Sequence, residues 1–172
     1  LERADMARAR QALPLAELCG YGTSSDATHL TAPSQEGQER AMRDALNDAG
    51  VPPGEIGCLN SHCTATDTGD VVEARSIRSV FGGHTDHLPV SSTKSMHGHL
   101  IGAAGALELA LSVLAMNRGA LPPTTGLTDP DPACDLLLVR HTALLAPQVN
   151  AVMSNSFAFG GSNACLVARR AD

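Results

Sequence analysis

Apolar positions recur along this chain with two spacings, one close to helical and one close to that of a strand, with turn-forming clusters between them. Residues 13–31 read as an extended, turn-rich opening segment. They are apolar from Leu13 to Leu18, then carry Gly20, Gly22 and the Ser24-Ser25-Asp26 cluster. Pro33 and Ser34 signal the start of a helix reaching about Ala49, with Ala41, Met42, Ala45, Leu46 and Ala49 as its apolar stripe and Gly50 as its C-cap. Pro52-Pro53-Gly54 breaks the chain before a short strand from about Ile56 to Ser61. The spacing predicts a second helix from about Asp70 to Phe81, with Val71, Ala74, Ile77 and Phe81 on one face and Gly82-Gly83 ending it. A strand around Leu88–Ser91 follows, then a turn rich in glycine and histidine.

From about Ile101 to Asn117 the chain is apolar on nearly every helical face, which predicts a buried helix. Glu108 lies inside it, and a buried carboxylate needs a partner. The Pro122-Pro123 loop then leads to strands near Leu136–Val139, Ala151–Ser154 and Ala164–Ala168. Helices alternating with strands and giving way to strands predict a single α/β layered domain over residues 1–172, built on a mixed sheet.

Composition narrows the function classes. A formal charge of −6 offers no clustered basic face for nucleic acid. No apolar run approaches the ~20 residues of a membrane span, and no charged-then-apolar leader is visible, so the cytoplasm is the expected compartment. The chain opens at Leu1, as a processed protein or a piece of a longer one would. Cysteines at 19, 58, 63, 134 and 165 form no CxxC pair, which argues for small reduced thiols over a disulfide framework or zinc site. Eleven arginines accompany one lysine, Lys94. Only lysine offers a compact ammonium of tunable pKa, so Lys94 is a candidate functional residue, with chance as the competing reading.

Three polar clusters fall at strand ends, where α/β folds place their sites. They are Asn60-Ser61-His62-Cys63-Thr64-Ala65-Thr66, Ser91 to His99, and Ser154 to Asn163. Each alone is compatible with a structural histidine or an ordinary Gly-Gly turn; three in one small domain favour a site.

In this order and spacing the clusters resemble the C-terminal half of the elongating β-ketoacyl-acyl-carrier-protein synthases, members of the thiolase-like superfamily. His62-Cys63-Thr64-Ala65-Thr66 is similar to that family's HGTxT, with Asp70 and Glu73 following. Ser91 to Gly105 is similar to SSTKSxxGHxxGAAG, and Asn155 to Asn163 to NSFGFGGTN. The resemblance implies the C-terminal half of a thiolase-type αβαβα fold: a mixed five-stranded sheet with helices on both faces.

The resemblance further implies a decarboxylative Claisen condensation, in which malonyl-carrier-protein loses CO2 and its carbanion attacks an enzyme-bound acyl thioester. His62 and His99 would donate N–H bonds to the developing enolate oxygen, and Lys94 would hold the charge and hydrogen bonding that keep His99 in the right tautomer. Thr64 and Thr66 would hold the phosphopantetheine arm, which arrives on acyl carrier protein. The backbone N–H of Phe159 would form half of an oxyanion hole and its ring a gate, within the turn of Phe157 and Gly160. Asn60, Glu108, Ser154 and Asn155 occupy positions implied to gather around a structural monovalent cation, Na+ or K+; a hydrogen-bonded carboxylate beside Lys94 is the plainer reading of Glu108. The implied partners are an N-terminal half, acyl carrier protein and a second complete unit in a dimer.

The pattern departs from the family in four places. No cysteine in a TACSS-like turn is present, so the nucleophile is expected in the N-terminal half. Cys63 stands at a glycine position and reads as a structural substitution. Ala158 replaces a glycine between the two phenylalanines, where a Cβ would restrain the gate if that position needs a positive φ. His97 replaces a common threonine and reads as a solvated or supporting residue. Two rivals to the condensing reading stay open: a non-catalytic partner resembling a chain-length factor, and a thiolase-fold enzyme that condenses without decarboxylation.

Overall fold

The computed structural model describes residues 1–146 and 148–171. In chain order the elements are α1 (Ala4–Ala9), β1 (Glu17–Ser25), α2 (Gln35–Ala49), β2 (Ile56–Asn60), α3 (Asp67–Phe81), β3 (Val90–Ser91), α4 (Lys94–His97), α5 (Ala104–Arg118), β4 (Ala120–Leu121), β5 (Leu144–Leu145), β6 (Ala151–Ala158) and β7 (Ser162–Arg169). Among the described residues, five strands form the main sheet in the order β1-β7-β6-β2-β3. Strand β2 runs parallel to β3 and β6, whereas β7 is antiparallel to both β6 and β1. The sheet is therefore mixed, as expected.

Helix α2 begins where Ser34 Oγ accepts the Gly37 N–H at 3.2 Å and stops at Gly50, which takes φ 62° in the left-handed region. Its buried stripe (Ala41, Met42, Ala45, Leu46, Ala49) lies on β1 and β7. Contact with β1 is close because Gly20 and Gly22 have no side chains: a Cβ on Gly22 would sit 2.0 Å from the Ala41 carbonyl oxygen. Thus two glycines that read as turn signals lie within a nine-residue strand, where they clear space for a helix. Helices α2 and α3 bury one face of the sheet around Met42, Ile77 and Met153; α5 covers the other around Met116 and Val152. Adjacent residues Val152 and Met153 point to opposite layers, as strand alternation requires.

Several elements differ from the sequence expectation. Helix α3 starts three residues early, at Asp67, placing Asp67 and Asp70 in a first turn that favours negative charge. Leu136–Val139 is not a strand; it makes one bridge, with Val90 N–H donating to Leu137 O and Val139 N–H to Val90 O, both at 2.9 Å. The neighbouring β3 is only two residues long, and Pro89 before it has no N–H to extend the ladder. Finally, the apolar helix splits into a 3-10 turn at Ile101–Ala103 followed by α5, and it is buried on one side only. Glu108, Ser112, Ala115 and Met116 face the sheet, while Ala106, Ala110 and Leu114 are exposed, no layer among the described residues covering them. By length and composition Ile101–Arg118 would suffice to cross a membrane, contrary to the expectation of no such segment. Here it docks on the sheet and carries an ion-paired carboxylate inward.

Candidate active site

Strand β2 ends at Asn60, and the chain leaves the sheet through Ser61 and His62. The carboxylate of Glu73, fully buried on α3, fixes this exit. Its Oε1 accepts the His62 N–H at 2.9 Å and the Asn155 amide at 3.1 Å, while Oε2 accepts the Cys63 N–H at 2.9 Å. Burial pushes the Glu73 pKa up, and these hydrogen bonds to the anion oppose that shift. Glu73 has no role that the sequence alone assigns; its one signal there is an acid beside the apolar face of the predicted helix.

The backbone at His62 being fixed, its ring meets the ring of His99 edge-to-face, with centroids 5.5 Å apart, and Phe157 at 6.2 Å. The ring of His62 is held neutral, its pKa lowered to about 3, first by burial and then by the nearby positive charge of Lys94 and by His99. Its Nδ1 is buried with no hydrogen-bond partner among the described residues.

Lys94 sits at the start of α4, buried, with Nζ 2.6 Å from Oε1 of the fully buried Glu108. Glu108 thus has the partner its position demanded. The tautomer of His99, however, is not set by Lys94. His99 Nδ1 accepts the backbone N–H of Ile101 at 3.2 Å, which leaves the ring hydrogen on Nε2. The backbone of Leu100, at φ −84° and ψ 15°, turns this peptide so that its N–H points back toward His99; Ile101 itself adopts φ 52°, a left-handed conformation that β-branched residues rarely take. The positive charge of Lys94 bears on His62, whose pKa it helps to lower after burial.

Both histidines border an open cleft of about 970 Å3, which Thr64, Thr66, Phe157 and Phe159 also line. The hydroxyls of Thr64 and Thr66 lie 3.5 Å apart at the mouth of α3, on either side of Ala65 with φ 60°. Phe157 is buried at the end of β6, whereas the Phe159 side chain is 81% exposed. Between them Ala158 has φ −113°, an ordinary extended backbone, so its Cβ introduces no strain. Gly160 takes φ 78° and donates its N–H to Leu30 O at 2.8 Å; a Cβ on Gly161 would collide with Asp26 at 2.4 Å. Only glycine satisfies both requirements of this turn. Cys63 carries a thiol pushed well above its usual pKa by burial, with Glu73 and Asp70 adding to the effect, and so is held as the thiol.

The four residues assigned to a cation do not form one side-chain cluster. Asn60 pairs in register with Ser154, and its amide donates to the Glu108 carbonyl at 3.3 Å, so these three share the α5 side of the sheet. Alternation along β6 sends Asn155 to the opposite side, where its amide is bonded to Glu73. Glu108 Oε2 and Ser154 Oγ are buried without hydrogen-bond partners among the described residues, but Lys94 already supplies the countercharge. As a set of side-chain donors the four do not fit a cation.

The geometry is matched by known proteins. The family described as Beta-ketoacyl synthase, C-terminal domain, matches residues 15–128. The 3-oxoacyl-[acyl-carrier-protein] synthase 2 of Coxiella burnetii (strain RSA 493 / Nine Mile phase I) is 46% identical over 172 residues, covering 99% of this chain and 41% of that protein. Among solved structures, the ishigamide ketosynthase/chain length factor superposes with a TM-score of 0.94 at 40% identity, over 99% of this chain and 42% of its own. A type II polyketide acyl-carrier protein in complex with its ketosynthase bound to the hexaketide gives a TM-score of 0.94 at 30% identity, again over 99% and 42%. The chain therefore spans about two fifths of the length of these relatives. With its thiolase-like sheet and a family match that covers residues 15–128, this chain belongs to the β-ketoacyl synthase C-terminal domain family.

Proposed function

We propose that this chain supplies the enolate-stabilising part of a β-ketoacyl-acyl-carrier-protein synthase, an acyltransferase of fatty acid or polyketide synthesis. One observation carries the reading: two imidazoles meet at 5.5 Å on the wall of an open cleft, one held neutral by burial and a buried ammonium, the other fixed as the Nε2–H tautomer. When malonyl thioester loses CO2, the electron pair of the breaking C–C bond moves into the carbonyl, and negative charge grows on the thioester oxygen. His62 and His99 each offer that oxygen an N–H without first giving up a positive charge, and donors already in place pay no reorganisation cost. The resulting carbanion attacks the acyl thioester on the cysteine of an N-terminal half. A C–C bond forms, and the cysteine leaves as thiolate.

Thr64 and Thr66 are assigned to the phosphopantetheine arm, the backbone N–H of Phe159 to half of the oxyanion hole, and the Phe159 ring to a gate closing on Phe157 and Gly160. No further cofactor enters this chemistry. Residues 1–172 act as one domain, alone inactive, that pairs with an N-terminal half and with acyl carrier protein in a cytoplasmic dimer of complete units. A second reading, a non-catalytic partner, draws support from the ishigamide relative, whose description includes a chain length factor. Retention of His62, Lys94 and His99 together favours the catalyst.

The test is CO2 release from malonyl-acyl-carrier-protein by the complete protein. His62→Ala and His99→Ala are each expected to lower kcat by about 10²–10³-fold, the loss typical of removing one oxyanion donor. Unchanged release in both variants, or none in the parent, would sink the catalytic reading and leave the partner role.

A further inference from the structure

One histidine in the site region is not used by the proposed chemistry. His97 ends α4, half-buried, with both ring nitrogens engaged: Nδ1 lies 2.7 Å from the Gly98 carbonyl oxygen and Nε2 3.2 Å from Thr93 Oγ1. A carbonyl only accepts, so Nδ1 carries a hydrogen, while Nε2 and the Thr93 hydroxyl are hydrogen-bonded to each other. That hydroxyl in turn accepts from Asn60 Nδ2 at 3.1 Å. A chain of hydrogen bonds therefore runs from the last residue of β2, two before His62, to the carbonyl of Gly98, one before His99.

Gly98 is where the backbone turns toward His99. Its φ of 78° and ψ of 179° are open only to glycine, and its N–H donates to Lys94 O at 2.8 Å. Once His97 also holds the carbonyl, the peptide planes on both sides of Gly98 are fixed. The second of these planes sets the direction in which His99 leaves the main chain.

We infer that His97 is a positioning residue: through Nδ1–H to Gly98 O and Nε2 to Thr93, it ties the turn carrying His99 to the strand carrying His62. The inference rests on the function proposed above, and its test reads His99 directly, without relying on turnover. In the complete protein labelled with 15N in its histidine rings, the His99 signals are assigned by their loss in His99→Gln. Two replacements then separate the ends of the bridge. His97→Asn places an amide nitrogen where Nδ1 stood and keeps the Gly98 bond; His97→Gln reaches toward Thr93 and gives that bond up.

The expected result is a single Nε2–H tautomer of His99 in the parent and in His97→Asn, and broadened or mixed tautomers in His97→Gln. Decarboxylation by His97→Gln is expected to fall about tenfold in kcat with KM unchanged, as for loss of a supporting hydrogen bond, and to recover in His97→Asn. An unaltered His99 in His97→Gln, or equal losses in the two variants, would overturn the inference. A parent that shows no decarboxylation would defeat the functional reading instead, while the ring-nitrogen comparison still decides the role of His97.

Discussion

His62 makes a signed prediction about pH. An unfolded histidine titrates near 6.5, and this one at about 3, so between those values the unfolded state binds a proton the folded state refuses. Stability is whole above that window and is lost as pH falls through it, by about 1.4 kcal/mol per pH unit where the slope is steepest. Urea unfolding of the parent and His62→Gln at pH 7 and pH 4.5 checks this; the parent should lose more than the variant. Lys94 and Glu108 supply a second prediction. Lys94→Ala leaves a carboxylate buried without its countercharge, which should cost about 3–5 kcal/mol. Replacing both, as Lys94→Met with Glu108→Leu, should recover much of that stability without restoring turnover. Thermal melts of the single and double variants distinguish a pair kept for chemistry from one kept for folding.

Among the elements, α2 and its seat on β1 give the clearest wager. Gly22→Ala puts a methyl group 2.0 Å from the Ala41 carbonyl, and neither backbone can retreat without opening the core. A loss of about 3 kcal/mol or more is expected, at the upper end of overpacking costs, read as a drop in melting temperature. At this scale the sequence was uneven as a guide. Helix α2 was legible at both ends because Ser34 and Gly50 do local work that their types announce. Strand β1 was hidden because Gly20 and Gly22 signal turns, yet serve a neighbour that only the fold brings near. The three site clusters were legible because each is continuous in sequence. The hold of the Ile101 peptide on His99 was not, since no residue type advertises which way that N–H is aimed. Nor was the split of Asn155 from Ser154, which depends on which side of β6 each faces.

For the whole molecule, the open side of α5 matters most. Leu114 on that helix, Ile101 at its foot and Phe159 at the cleft mouth are 39%, 77% and 81% exposed. Large apolar side chains exposed in this way seek a cover. The isolated chain is expected to self-associate and to bind a hydrophobic dye; both properties should disappear when the remaining three fifths of a complete synthase is co-expressed. Sedimentation velocity on the two samples checks this, and a monodisperse, dye-silent isolated chain would count against an N-terminal half as the natural cover.

The order of strands also constrains how the molecule is born. β7 lies second in the sheet, between β1 and β6, yet comes after every other element of that sheet in sequence. Its partner β1 must wait from Glu17 until Arg169 for the pairing that closes its register. Loops of that length are slow to close rather than costly once closed. On a ribosome adding about 5–20 residues each second, β1 with α2 against it spends many seconds with no strand at its side. A nascent chain arrested before Ser162 should therefore remain open to protease along its whole length, and one arrested after Arg169 has cleared the exit tunnel should become resistant in a single step.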